Sequence, residues 1–351
     1  MKQIFTIILY PFAILYDLGS RFRNHQYNIE HKKSFQFDTN VIAVGNLSVG
    51  GTGKTPIVEY ILRLLSDKKL ATLSRGYGRK TKGFRIANEQ DSALTLGDEP
   101  FQFYKKFDDV MVTVGEDRAM AIPQILYHKE DTEAVVLDDA YQHRSVIPSL
   151  NILLTEFYRP FFNDYILPAG RLREARKNAN RATAVVVTKC PDEINESVEV
   201  EYRTQINSYT KSSTPVFFSK VTYQTPILIY GEQVAEIKSV FLFTGISNHR
   251  PFKEYVADNF NIIGEQHFAD HYKYEAKDIT NIIAQYDAVK SDNSILLTTE
   301  KDMVRLLSDD FKELFGKRPL YYIPIEVSFL KDGSKFDKMI RNSIKTKSIL
   351  A

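Results

Sequence analysis

The chain has 351 residues, 43% hydrophobic and 26% charged, a globular composition with room for two ordinary domains that excludes a disordered protein. With 46 Lys and Arg against 44 Asp and Glu, the net charge is +2, so overall charge gives no reason to expect a nucleic-acid partner. The single cysteine, Cys190, excludes an intramolecular disulfide and reads as a buried thiol in a reducing compartment.

The chain opens with an apolar run, IFTIILYPFAILY at 4–16, followed by Arg21, Arg23, His25, Lys32 and Lys33. The run is shorter than the roughly 20 residues a bilayer-spanning helix needs, and Pro11 interrupts it. One basic residue, Lys2, precedes it and no A-x-A site follows, so a cleaved signal peptide is not expected. Ile4, Ile8, Leu15, Leu18 and Phe22 share one helical face. That face either dips into a membrane whose anionic headgroups meet the basic cluster, or packs on the protein's own core. These residues alone leave both open.

The most informative segment is VIAVGNLSVGGTGKTP, 41–56. A β-branched run enters a loop containing Ser48, Gly50, Gly51, Thr52 and Gly53; Lys54 and Thr55 follow, and an apolar-periodic helix begins at Pro56. Strand, glycine loop, Lys-Thr and helix form a phosphate cradle. Backbone N–H groups face the anion, Lys54 reaches the outer phosphates, and the Thr55 hydroxyl can hold Mg²⁺. The pattern G-x-x-x-x-G-K-[ST] departs at its first glycine, where this chain has Ser48.

Further strand-like runs at 71–74, 110–114, 134–137, 152–155 and 184–188 alternate with helix candidates near 56–66, 98–107, 116–128 and 172–181. That alternation predicts an α/β fold with a mainly parallel sheet, whose ligands bind at the carboxyl ends of the strands. AVVLDD at 134–139 is a buried strand tipped by Asp138 and Asp139, the arrangement in which a carboxylate reaches Mg²⁺. Asp98 in LGDEP stands at a helix start, where an N-cap is the plain alternative to chemistry. Residues 74–85 carry five cations on a glycine-bearing loop, either solvated or a clamp for a second anion. In 167–181, Arg173, Lys177 and Arg181 at i, i+4, i+8 would share a face of the expected helix. Residues 206–239 read as a two-stranded linker, and a second, smaller α/β set follows with FADH at 268–271, weak as a motif by itself. The expected units are an N-terminal helix (1–30), a nucleotide-binding domain (31–205), the linker (206–239), and a smaller domain (240–351).

Seven collinear motifs, GNLSVGGTGKTP, SRGYGRK, GDEP, VGEDR, LDDAYQHR, LPAGRLRE and FADH, make the chain resemble the tetraacyldisaccharide 4′-kinases of lipid A biosynthesis. The resemblance runs from the N-terminal helix to about residue 330. It departs at Ser48, where Thr is usual, and at Ala140-Tyr141, where Gly-Phe is common. It implies a P-loop-type fold whose two domains close over the nucleotide. It also implies phosphorylation by ATP of the 4′-hydroxyl of a tetraacylated glucosamine disaccharide 1-phosphate, at the cytoplasmic face of the inner membrane. On the matching positions, Lys54 and Thr55 are phosphate and Mg²⁺ ligands and Asp138 and Asp139 are metal-site acids. Arg173 and Glu174 match the family's basic-acidic pair, taken as nucleotide and metal contacts respectively. Asp98 matches the proposed general base and His271 its partner in the second domain. A substrate with four acyl chains also favours the membrane reading of residues 4–23.

Two rivals remain. A P-loop GTPase or ATPase acting as a switch or loading factor would read guanine with [NT]-K-x-D, but in Thr188-Lys189-Cys190-Pro191-Asp192 the Asp falls one residue late. A peripheral membrane protein whose nucleotide only regulates docking leaves Asp98 and His271 without a role.

Overall fold

The computed structural model describes residues 2–345, with side chains from residue 8 onward. Eight strands come first: β1 (Asn40–Asn46), β2 (Leu70–Ser74), β3 (Arg85–Ile86), β4 (Met111–Val114), β5 (Ala134–Asp138), β6 (Leu150–Glu156), β7 (Ala184–Thr188) and β8 (Val216–Tyr223). A second set, β9 (Ile227–Tyr230), β10 (Ser239–Thr244), β11 (Asn261–His267), β12 (Ser294–Thr299) and β13 (Leu320–Ile323), forms its own sheet before β14 (Ile325–Phe329) returns to the first.

The larger sheet runs β14-β8-β7-β6-β1-β5-β2-β4-β3. Its inner pairs are all parallel, and antiparallel pairing occurs at its two ends, β3 on β4 and β14 on β8. β1, β2, β5 and β7 are buried along their whole length, as parallel strands covered on both faces must be, which is why each is a near-continuous run of Val, Ile, Leu and Ala. The smaller sheet runs β11-β10-β12-β13-β9, parallel except for β9.

The sheet order redraws the expected boundaries. β8 and β9 do not pair with each other: β8 lies beside β7 in the larger sheet and β9 beside β13 in the smaller. Val216, Phe217 and Phe218 are buried, and that apolar surface is satisfied in the larger core rather than in a linker. The C-terminal segment also departs from the 240–351 expectation, of which 346–351 lie outside the described residues. β14 and the helix Gly333–Ser343 pack on the larger sheet, where Phe336 and Ile340 join Ile57, Ile61 and Phe217. The chain therefore crosses between the sheets twice, at 224–226 and at Pro324, and the crossings are joined by a hydrogen bond from the Gln224 amide to the Pro324 carbonyl (2.9 Å).

The N-terminal helix spans Lys2–Asn28 and carries Pro11 within it. Ile8, Phe12, Leu15, Leu18 and Phe22 stand exposed, so this apolar face is not packed on the protein's core; the Ile4 side chain lies outside the described ones. The basic end is tied down instead. Arg23 reaches Glu174 (2.7 Å), and Arg144 donates to the Asn24 carbonyl and to Asn28 Oδ1 (2.8 Å each). No helix among the described residues is long and apolar enough to cross a membrane.

Candidate active site

β1 delivers the chain to the phosphate loop at the carboxyl edge of the larger sheet. Gly45 is required there: a Cβ would stand 2.6 Å from the Tyr141 amide nitrogen, so the segment after β5 lies directly against the exit of β1. The loop is braced from both sides. Asn46 Nδ2 donates to Thr52 Oγ1 (2.7 Å), Thr188 Oγ1 donates to the Thr52 carbonyl (2.9 Å), and the buried Ser48 bridges Leu172. Gly53 takes φ 80°, a left-handed turn open to glycine at little cost, and Lys54 and Thr55 begin the helix Lys54–Leu64. The helix N-terminus, with its free N–H groups, thus opens beside Lys54 and the exposed Gly50 and Gly51.

The register Val44 to Asp138 brings the tip of β5 level with the exit of β1. Asp138 and Asp139 then part company. Burial, reinforced by the charge of Asp139, pushes Asp138 up to about 7, and its Oδ1 is buried with no partner. Burial also works against ionisation of Asp139, but Lys54 and Arg173 overcome it and hold that carboxyl at about 2. Lys54 Nζ lies 3.6 Å from Asp139 Oδ1, and Arg173 forks onto both oxygens at 2.8 and 3.1 Å. Asp139 adopts φ 47°, in the left-handed region uncommon for a non-glycine residue. Nearby, burial lowers His143 to about 4 and Arg118 to about 10. Arg118 is wholly enclosed; it donates to the Gly115 carbonyl through Nη1 and leaves Nε and Nη2 without partners. VGEDR carried this residue in the sequence, but nothing there marked the Arg as buried.

The helix expected over 172–181 does not form. The Val49 amide donates to the Arg171 carbonyl (2.8 Å) and the Arg173 amide to the Leu47 carbonyl (2.7 Å), so the backbone here is spent on bracing the phosphate loop. Only Arg176–Arg181 coils, as a 3-10 helix, and Arg173, Lys177 and Arg181 share no helical face. Arg173 goes to Asp139, whereas Arg181 covers the Tyr141 ring and meets Glu174 (2.6 Å). Glu174 itself departs from its metal-ligand expectation. It is fully buried, with Oε1 taken by Arg23 and Oε2 by Arg181 and Asn178. Among the described residues no cluster of three or more His, Cys, Asp or Glu could hold a metal ion.

Asp98 does not cap its helix. Gly97, at φ 96°, occupies the N-cap position of Asp98–Lys106, and the Asp98 side chain turns toward the smaller sheet. There Oδ2 meets His271 Nδ1 at 3.2 Å and Arg305 Nε and Nη2 at 2.9 and 2.7 Å. Burial would raise the Asp98 pKa, but the His271 hydrogen bond and the Arg305 and Lys301 charges bring it below the usual value. Lys301 Nζ stands 3.1 Å from His271 Nε2, and the Tyr77 ring lies edge-on to the imidazole, 5.8 Å away. Lys301 and Arg305 belong to the helix Glu300–Leu306. The sequence carries no motif that singles out its cations.

The guanine-reading rival finds no support in the geometry. Asp192 pairs with Lys220 on β8 (2.7 Å), and its side chain is 86% exposed. Lys189 contacts the Gly51 carbonyl and Glu156 (2.6 Å), acting as a brace behind the loop.

The family model of LpxK, tetraacyldisaccharide-1-P 4′-kinase, matches residues 5–345. A tetraacyldisaccharide 4′-kinase of Flavobacterium johnsoniae is 44% identical over 344 residues, covering 96% of this chain and 97% of the relative. One from Parabacteroides distasonis is 36% identical, covering 98% and 96%. A crystal structure of LpxK from Aquifex aeolicus in complex with ATP is similar with a TM-score of 0.74 at 30% identity, covering 97% of this chain and 99% of that one. With its phosphate loop, paired strand-tip acids and the Asp98–His271 contact in place, this chain belongs to the tetraacyldisaccharide 4′-kinase family.

Proposed function

We propose that the protein transfers the γ-phosphoryl group of ATP to the 4′-hydroxyl of a tetraacylated glucosamine disaccharide 1-phosphate. The observation that carries this reading is the meeting of Asp98 and His271, 173 positions apart, at 3.2 Å between the two sheets. A carboxylate held by an imidazole at the edge of a phosphate cradle suits removal of a proton from an attacking hydroxyl. Lys54 and the loop amides hold the phosphates, and Arg173 supports both Asp139 and the Asn46 end of β1. The base is not called on to be strong: the hydroxyl sheds its proton as the bond to phosphorus forms, so alignment counts for more than basicity.

The residues present fit a divalent cation. Asp138 Oδ1 is a buried oxygen without a partner at the strand tip, and Asp139 and Thr55 offer further oxygens of the kind Mg²⁺ takes. When bound, such an ion supplies neutralisation of charge on the β- and γ-phosphate oxygens. Glu174, engaged by two arginines, is left out of that set.

The acceptor is a lipid, and the exposed apolar side of the N-terminal helix beside Arg21 and Arg23 suits an interfacial helix at the cytoplasmic face of the inner membrane. Incubation with radiolabelled ATP, Mg²⁺ and the lipid disaccharide 1-phosphate tests the whole reading. A bis-phosphorylated lipid is expected; ATP hydrolysis with no labelled lipid overturns it in favour of a nucleotide switch.

A further inference from the structure

His271 has a partner on each ring nitrogen. Lys301 has only protons to offer, so its ammonium donates to Nε2, which must then carry the lone pair. The ring proton therefore sits on Nδ1, facing Asp98 Oδ2. His271 is also held at φ 56°, an uncommon conformation for a non-glycine residue. Lys301 is not free to wander, since Glu99, the neighbour of Asp98, lies 3.5 Å from its Nζ.

Asp98 is loaded on one side only. His271 Nδ1 and Arg305 Nε and Nη2 all converge on Oδ2, and among the described residues no hydrogen bond reaches Oδ1. Arg305 is itself immobilised: Nη1 donates to Asp302 Oδ1 (2.9 Å) and to the Gly245 carbonyl (3.0 Å). Asp302 is in turn fully buried and bonded to Thr299, Tyr274 and the Gly245 amide. This is a rigid bracket from the smaller sheet onto one oxygen of a carboxylate in the larger unit.

We infer that Arg305 and Lys301 are positioning residues for phosphoryl transfer, Arg305 anchoring Asp98 through Oδ2 so that Oδ1 is presented to the acceptor hydroxyl, and Lys301 holding the His271 ring in place through Nε2. The inference rests on the kinase reading above and adds two residues that act through Asp98 and His271 rather than on the substrate.

The test uses the full chain with ¹⁵N-labelled histidine and the variants Lys301→Met and Arg305→Lys. In the wild type, the His271 ring should show a protonated Nδ1 and a bare Nε2 at neutral pH. Lys301→Met removes the donor on Nε2, so the ¹⁵Nε2 resonance should shift and kcat should fall about tenfold, with the KM for ATP within about twofold. Arg305→Lys keeps a cation but loses the fork, so kcat should fall further. Its acid limb should also move to higher pH: Asp98 works ionised, and relaxing the charge that holds its pKa down lets protonation begin sooner. Should Arg305→Lys fail to fold, Lys301→Met decides through the ring spectrum, its side chain being 30% exposed. An unchanged Nε2 resonance and kcat in Lys301→Met, or an unmoved acid limb in a folded Arg305→Lys, overturns the inference. A wild type that makes no labelled lipid yet shows the bare Nε2 overturns the kinase reading instead.

Discussion

Asp138 and Asp139 are neighbours in the chain with opposite acid–base behaviour: burial pushes the first up to about 7, while Lys54 and Arg173 hold the second at about 2. Asp138 in the folded protein binds a proton that it would release near pH 4 when unfolded. A raised carboxyl pKa stabilises the fold below the unfolded value, and that contribution is lost as pH rises toward 7. In EDTA, Asp138→Asn should therefore gain stability relative to the wild type between pH 4 and pH 7, by a few degrees in Tm. Parallel melting curves for the two proteins across that range would contradict the burial argument. Asp139 works the other way, its contribution being lost as pH falls toward 2.

Lys54→Ala removes the ammonium that faces Asp139 and, in the proposed reaction, the outer phosphates. Turnover should drop by about two to three orders of magnitude with the fold intact, because the charge is aimed where it develops in the transition state. Near-normal kcat in a folded variant would take the cradle out of the mechanism.

Asp98→Ala and His271→Ala each break a contact in one hydrogen-bonded unit. The double variant should be little slower than the worse single one, since groups acting together are non-additive. Losses that add in log kcat would assign the two side chains separate duties.

Glu174→Gln separates a structural role from a metal-binding one. Arg23 and Arg181 both lose a buried counter-charge, costing about 3 kcal/mol, near the low end for a broken buried pair because Arg23 is 43% exposed. Hydrogen exchange should rise in the N-terminal helix while Mg²⁺ affinity stays within about twofold, against the 10–100-fold loss typical when a metal site is disturbed. A collapse in metal affinity would return Glu174 to the ligand set.

The proposed membrane contact is better tested by substitution than by truncation, because deleting residues 1–23 also removes Arg23 and strands Glu174. Replacing Phe12, Leu15 and Phe22 by Ser should weaken co-sedimentation with anionic vesicles by about tenfold or more, given roughly 1.5–3 kcal/mol for each large apolar side chain buried. ATP binding should be unchanged. Equal sedimentation would assign the exposed face another role.

The parts legible in the sequence were those with a short period or a compact motif. The buried β-branched strands, the phosphate loop and the strand-tip acids all lie within single elements, where local spacing dictates local geometry. Asp98 and His271 could be paired only through the family resemblance, since nothing in their own surroundings says that they meet. The failures were of another kind. Residues 172–181 had helical charge spacing, but their backbone groups were claimed by the phosphate loop, a tertiary demand no window reveals. Glu174 follows Arg173 in sequence but points the other way, into two arginines. Arg305 has no motif at all; it matters through what lies across from it.

The return of β14 and the last helix to the larger sheet makes the smaller unit an insertion, tethered by two strands of chain that lie side by side. A single tether would let the inserted body swivel, and two distant ones would pin it. Two adjacent tethers, stitched from Gln224 to Pro324, let the chain enter and leave that body at one place. Near that crossing the Ile325 amide donates to Glu300 (3.2 Å), at the head of the short helix that carries Lys301 and Arg305. The helix that grips Asp98 is therefore held twice over, at that crossing through Glu300 and in the apolar cluster where its Met303 and Val304 meet Leu96 and Phe101.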